Sequence, residues 1–330
     1  MSRRRSACLI TSLFLASWTA LLAAGHLVAG HSPAFAASID DTILAKQVDV
    51  GGRMLYLTCS GAARPGRPTI ILISGYHDSS DPWTQKDVLS LLPQATGPSV
   101  LPGLARTERV CAYDRPGTVR YIDGLPLTNR STPVAQPRTV EELAAELKAL
   151  LTAAQIPGPY VLVGHSLGGL IGLFYARTFA EDVRGIVFVD AFSPTIPMKM
   201  GRLWPLYLSA LNPSPEKQPI ASLKQAMSET VEIDVSIGQV ERAPSLRAMP
   251  LAVLTKTEPF RIPPGSLPPG LTLSDLDNSY NDAQGYLVDL APTTPHVFAT
   301  GSEHYIQLSQ PDLVINAARL VIDRAASESK

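Results

Sequence analysis

The chain has 330 residues, of which 45% are hydrophobic and 17% charged, with a formal net charge of −1. That length is enough to bury one large α/β domain or two small ones. A charge this close to zero excludes bulk attraction to nucleic acid, and the sequence has no Cys/His cluster at metal-ligand spacing.

The N-terminal stretch MSRRRSACLITSLFLASWTALLAAGHLVAGHSPAFAASID reads as a secretory signal. It has a basic start at Arg3 to Arg5, a long apolar run, and a small-x-small site at Ala34 to Ala36, so cleavage is expected before Ala37. Residues 1–36 are thus set apart from a domain at 37–330, expected to be secreted or periplasmic without stable membrane insertion. The length of the apolar run leaves a retained anchor as the alternative. The adjacent arginines admit a twin-arginine route, although the apolar residues expected soon after the pair are missing. Cys8 leaves with the signal. Cys59 and Cys111 remain, an even number in an oxidising compartment, either bridged or left as two buried thiols.

KQVDVGGRMLYLTCSG reads as two strands joined at Gly51-Gly52, with Leu55, Leu57 and Cys59 alternating with Tyr56 and Thr58. PTIILISG is a continuous apolar run, as expected of a strand buried on both faces. RVCAYDRPG gives another short strand and a turn. RTVEELAAELKALLTAAQIPG is a helix: Thr139 caps it, Glu142 completes a capping box, and Leu143, Leu147, Leu150, Leu151 and Ala154 share a face. A strand at Tyr160 to Val163 follows, then a helix from about Leu167 to Ala180, then the buried strand in VRGIVFVDA.

From Phe192 to about Ala248 the strand–helix rhythm stops, and Pro, Met and Leu dominate. PLAVLTKTE restores a strand, with a helix near Ser274 to Leu290 after it. HVFATGSEHYIQL gives a last strand and loop. PDLVINAARLVIDRAA closes as a helix, apolar at Leu313, Val314, Ala317, Leu320 and Val321. Buried strands alternating with amphipathic helices predict a mostly parallel sheet covered on both faces, with residues 192–248 inserted over one end.

Between strand and helix stands Gly164-His165-Ser166-Leu167-Gly168. This G-x-S-x-G spacing puts a serine at the tip of a tight strand-to-helix turn, with glycines where side chains would collide and helix amides aimed at developing negative charge. A nucleotide-binding turn would need G-x-G-x-x-G and an acid after the next strand, which this spacing does not give.

Taken with SGYHDSSDPW, RVCAYDRPG, IVFVDAFSP and SEHYIQLSQPDLVINAARLVI in that order, the chain resembles the α/β-hydrolase superfamily over nearly all of residues 37–330. The resemblance implies an eight-stranded, mostly parallel sheet with helices on both faces, a cap inserted after the sixth strand, and no cofactor or metal. It implies the chain order nucleophile, acid, histidine. Ser166 is then the nucleophile and His304, in the loop after the last strand, the base. The acid is Asp190, at the end of the IVFVD strand, or else Glu258, one strand later, where Lys256-Thr257-Glu258-Pro259 departs from the family's Gly-Asp-x-Asp turn; Asp190 is preferred. The oxyanion donors are the backbone N–H groups of Tyr76 and Leu167. His165 should point away from the nucleophile, His77 is a possible pocket wall, His296 is structural, and Asp114 and Arg115 hold a loop near the site. In the resembling fold the second strand lies beside the fourth, so Cys59 and Cys111 are expected to pair.

The cap residues Met198, Met200, Leu203, Trp204, Leu206, Tyr207 and Leu208 either form an apolar surface for an acyl or aromatic group or simply pack on the core. These features together point to a secreted serine hydrolase, foremost a carboxylesterase acting on a small-molecule ester. An amidase, a lactonase, a perhydrolase or a non-catalytic binder on the same fold are the alternatives.

Overall fold

The computed structural model describes residues 44–84, 95, 97–122, 125–212 and 228–327. The expected signal and its cleavage site lie outside them. In chain order the strands are β1 (Leu44–Asp49), β2 (Met54–Ser60), β3 (Thr69–Ile73), β4 (Val110–Tyr113), β5 (Val119–Ile122), β6 (Leu125–Thr128), β7 (Tyr160–His165), β8 (Val183–Val189), β9 (Leu251–Lys256) and β10 (His296–Ala299). The helices are α1 (Asp81–Thr84), α2 (Val100–Ala105), α3 (Val140–Ala153), α4 (Leu167–Thr178), α5 (Ile196–Met200), α6 (Trp204–Leu211), α7 (Ile233–Arg242), α8 (Leu273–Val288), α9 (Ile306–Ser309) and α10 (Pro311–Ser327).

Eight strands form one sheet in the order β1-β2-β4-β3-β7-β8-β9-β10. The β1–β2 and β2–β4 pairs are antiparallel and the others parallel. The strands' continuous apolar runs are explained by two cores, one on each face. In β3, Ile71 and Ile73 enter the core that contains α3 and α4, while Ile70 and Leu72 enter the core that contains α2 and α10. Ile186 and Phe188 against Val187 and Val189 in β8 repeat the division. A strand with both faces buried has no use for polar alternation.

Helix α3 forms as its sequence predicts. Glu142 N–H donates to Thr139 Oγ1, the Glu142 carboxylate accepts from Thr139 N–H at 2.7 Å, and all five expected apolar residues are buried. In α10 the buried stripe differs from the expected one. Leu320 is 40% exposed, whereas Ile315, Ala318 and Ile322 are buried. The helix lies between α2 and the sheet, so two adjoining sides are covered rather than a single stripe. The β5–β6 hairpin stands apart from the main sheet and was not legible in the Gly/Pro-rich run that follows β4.

Between β8 and β9 the chain runs through α5, α6 and α7, where an insertion was expected. Met198 is exposed there, but Met200, Trp204 and Tyr207 are buried, so packing on the core accounts for most of the apolar cap residues. No helix among the described residues is long and apolar enough to cross a membrane.

The antiparallel β2–β4 pair sets Cys59 directly opposite Cys111, and the two form a disulfide. Both are fully buried. The bridge spans 52 residues of sequence, which in the chain-entropy model stabilises the fold by about 4 kcal/mol. Thiol titration of the denatured, unreduced protein should find no free thiol at Cys59 or Cys111. Replacing both cysteines with serine should lower the unfolding free energy in urea by up to that amount.

Candidate active site

Ser166 sits between β7 and α4 with φ 50° and ψ −122°, a conformation disfavoured for any residue with a side chain. Its backbone is held on both sides. Its N–H donates to Val189 O at 3.2 Å, and its carbonyl accepts from Gly169 N–H at 2.9 Å and Phe192 N–H at 2.8 Å. The glycines are there for space. A Cβ at Gly164 would lie 2.5 Å from Gly168 O, one at Gly168 2.1 Å from Ile73 O, and one at Gly169 2.3 Å from the Ala191 side chain. Spacing alone pointed to the first two; the third comes from the turn after β8.

At the end of β8, Asp190 also has positive φ, 39°. It is fully buried. Asp190 Oδ1 accepts from Lys256 N–H at 3.1 Å, and Oδ2 lies 2.6 Å from His304 Nδ1. His304 arrives from the loop between β10 and α9, with its ring packed near Phe260 and Tyr280. Glu258 is exposed and does not meet His304; its carboxylate takes the Thr257 hydroxyl at 3.5 Å. The end of β9 is occupied otherwise: buried Lys256 donates to Asp277 at 2.5 Å and lies over the Phe260 ring.

Ser166 and His304 line one cavity of about 290 Å³, with Tyr76, His77, Asp78, His165, Tyr207 and Tyr305 among its other walls. The serine hydroxyl interacts with the Tyr280 hydroxyl and makes no hydrogen bond to His304 here; such bonds commonly tighten only around a substrate. Tyr280 donates to Asp190 O at 3.0 Å, and burial raises its pKa well above the ordinary tyrosine value. Nothing in its helical sequence marked it out.

The Gly75-Tyr76 loop is gripped from behind. Arg115 donates to Ser74 O at 2.9 Å and Gly75 O at 2.6 Å, and pairs with Glu229 at 2.5 Å. Glu229 also accepts from His77 N–H at 2.6 Å. In a trans peptide the carbonyl and the following N–H point in opposite directions. Holding Gly75 O therefore turns the Tyr76 N–H away from Arg115. Among the described residues neither the Tyr76 nor the Leu167 N–H is used by a protein acceptor. Asp114 stiffens the same loop, accepting from Ser80 N–H at 2.9 Å and pairing with Arg130. Glu229 lies in the cap, where no motif announced it.

His77 lines the cavity and His296 bonds Thr255, as their positions suggested. His165 departs from expectation. Its Nε2 donates to His304 O at 3.0 Å, and its ring forms part of the cavity wall. Among the described residues no group of His, Cys, Asp and Glu is arranged to hold a metal ion.

Over residues 70–317 the sequence matches the alpha/beta hydrolase family. It is 30% identical over 174 residues to efuK of Hormonema carpetanum, provisionally named a transporter, covering 51% of this chain and 22% of that one. RutD of Cronobacter sakazakii, provisionally named a carbamate hydrolase, is 30% identical over 139 residues, 42% of this chain and 43% of that one. The chain therefore spans less than half the length of either relative. Lip1 of Acinetobacter baumannii, provisionally described as a lipase, shares the fold with a TM-score of 0.52 at 18% identity, covering 87% of this chain and 93% of that one.

The glycine contacts give a matched test. Gly168→Ala drives a Cβ into the backbone of β3 and should lower the unfolding free energy in urea by about 3 kcal/mol. Gly285→Ala, on the exposed side of α8 with nothing within 4 Å, should instead raise it by up to about 1 kcal/mol.

Proposed function

We propose that this chain, which belongs to the alpha/beta hydrolase family, is a serine hydrolase that cleaves carboxylic esters through an acyl-enzyme on Ser166. One observation carries the reading: His304 Nδ1 lies 2.6 Å from a buried Asp190 carboxylate, on the cavity that the elbow serine also lines. With Nδ1–H given to Asp190, Nε2 is the nitrogen left to accept a proton.

Ser166 Oγ attacks the ester carbonyl while His304 Nε2 takes its proton. The tetrahedral oxyanion is received by the N–H groups of Tyr76 and Leu167, the first aimed through Arg115 and the second at the start of α4. His304 then gives its proton to the leaving alcohol, and the acyl-enzyme forms. In the second half His304 activates water, and the acid leaves. Asp190 fixes the tautomer and balances the imidazolium, remaining ionised throughout. No step calls for a metal or cofactor. An N-terminal stretch that reads as a secretory leader, together with the Cys59–Cys111 disulfide, favours action outside the cytoplasm.

A panel of p-nitrophenyl esters, anilides, carbamates and lactones separates the esterase reading from an amidase, a lactonase or a carbamate hydrolase. Labelling by a fluorophosphonate probe separates it from a non-catalytic binder. Ser166→Ala should fold normally, lose labelling and lower ester turnover by about 10^4-fold or more; more than a tenth of the activity surviving would refute the nucleophile. Asp190→Asn should lower kcat by roughly 10^4-fold, since asparagine tolerates the positive φ but imposes the wrong tautomer. Glu258→Gln should leave kcat within about twofold, as expected of an exposed side chain remote from the chemistry.

A further inference from the structure

Asp78 lines the cavity but has no part in the chemistry proposed above. It is 9% exposed, and burying an unpaired carboxylate is unfavourable by several kcal/mol. Four other buried acids are each matched by a cation: Asp81 and Asp114 by Arg130, Glu229 by Arg115, Glu146 by Arg138. Asp78 makes no such pair with an arginine or lysine; Arg115, committed to Glu229, acts on it only at longer range. Among the described residues its carboxylate has the Tyr305 hydroxyl at 3.4 Å and His165 Nδ1 at 3.9 Å.

The second observation is His165. It is 1% exposed, and its Nδ1 has no hydrogen-bond partner. Because Nε2–H is given to His304 O, Nδ1 is an acceptor. Burial holds the ring's pKa well below the ordinary histidine value, so it is neutral and is no cation for Asp78. Asp78 Oδ2 thus faces the shielded, proton-free Nδ1 at 3.9 Å and gains no donor from it. They come this close beside Gly75, where a Cβ would be 2.7 Å from Nδ1 and 3.0 Å from Oδ2. Around them the walls include the aromatic rings of Tyr76, Tyr207 and Tyr305. A buried carboxylate without an ion-pair partner, set among tyrosine side chains, suits a desolvated ammonium group that carries an N–H.

We propose that the Ser166 cavity selects esters bearing a protonated amine, and that Asp78 is the residue that recognises it. This rests on the serine-hydrolase reading and names its substrate class. The ammonium gives its N–H to the Asp78 carboxylate, with the tyrosine side chains as walls.

The selection depends on pH in a defined sense. Burial raises the Asp78 carboxyl to a pKa of about 7, so its anionic form, and with it the preference, grows as pH rises through that value. The groups facing it do not replace it. Arg115 is paired with Glu229, Glu303 accepts from Tyr305 N–H, and Tyr121 and Tyr305 have raised pKa values and stay neutral. His77, whose pKa is lowered by burial, is neutral. His304 serves every substrate alike, so its part cancels in a ratio of two.

The test compares isosteric esters: 2-(dimethylamino)ethyl against 3-methylbutyl acetate for the alcohol side, and ethyl 4-(dimethylamino)butanoate against ethyl 5-methylhexanoate for the acyl side. A hydroxyl-bearing ester of matched length completes each set. Acid release by the wild-type protein should give kcat/KM for one protonated amine at least about 10-fold above its neutral isostere, a difference of about 1.4 kcal/mol. That ratio should fall as pH is lowered from about 8 to about 6, as Asp78 protonates, and Asp78→Asn should bring it close to one. Cleavage of the neutral esters with no preference for the amine on either side overturns the inference and leaves the hydrolase intact. An equal preference for the hydroxyl ester overturns the cation. A ratio unchanged in Asp78→Asn, with fluorophosphonate labelling retained, removes Asp78 from the role. The pH dependence in the wild type decides the matter even where that variant does not fold. Failure of every ester together with absence of Ser166 labelling defeats the serine-hydrolase reading itself.

Discussion

The turn at Ser166 closes only because three side chains are missing, and each absence brings a different part of the site into place. Without a Cβ, Gly168 lies against the Ile73-Ser74 peptide, the root of the loop that carries Tyr76. Without one, Gly169 lies against Ala191, the residue after Asp190. Gly164 lets β7 and α4 meet at all. Ser166, the loop that carries Tyr76, and Asp190 are therefore positioned by direct close packing, which interior packing density makes hard to stretch. A flexible link would leave catalytic atoms wandering by the ångström or so that lowers rates severely.

A second restraint joins this centre to the cap. Arg115 and Glu229 are both nearly inaccessible to water, and a buried ion pair gains little over apolar packing unless its remaining valences are filled. Here they are: Arg115 also holds two carbonyls of the loop that carries Tyr76, and Glu229 also takes an N–H from the same loop. Tyr76 adds a further tie, its hydroxyl meeting Asn212 and accepting from Val231 N–H. The cap is therefore more than a cover. A shift of Glu229 would release the peptide that orients the Tyr76 N–H, so the cap's seating and the geometry of the proposed oxyanion hole are mechanically one thing.

Period-two burial, the capping box of α3 and the glycines around Ser166 were readable because each is set by local spacing and sterics. His304 and Asp190 were readable through the family resemblance, which implies a histidine after the last strand; Asp190 also ends an apolar run at the sheet edge where ligands gather. The choice of Asp190 over Glu258 became geometric only once Lys256 was seen to spend the end of β9 on a buried pair with Asp277. Glu229, Tyr280 and the Asp78–His165 pair were hidden for another reason. Their meaning lies in contacts across 87 or more positions of sequence, as between Asp78 and His165, Tyr280 and Asp190, or His77 and Glu229, and no periodicity records such a contact. Asp78 stood beside a histidine already suspected of lining the pocket, which was the one available hint. The exposure of Leu320 is a tertiary outcome too, fixed by what α10 is pressed between.

Backbone strain gathers where these restraints converge. Among the described residues four non-glycine residues have positive φ: His77, Gln155, Ser166 and Asp190. Three belong to the cavity or to its hydrogen-bonded support. Such conformations are unfavourable by about 1–3 kcal/mol each and persist only when the surroundings over-determine them. The surroundings here do so: Glu229 holds the His77 N–H, Val189, Gly169 and Phe192 hold Ser166, and Leu254 O holds the Asp190 N–H at 2.8 Å. Each of these three is thus clamped at least in part by a neighbouring strand or loop rather than by its own segment alone. The sheet supplies the rigidity, and the strained turns at its carboxyl edge hold the side chains in an arrangement that a relaxed chain would not adopt.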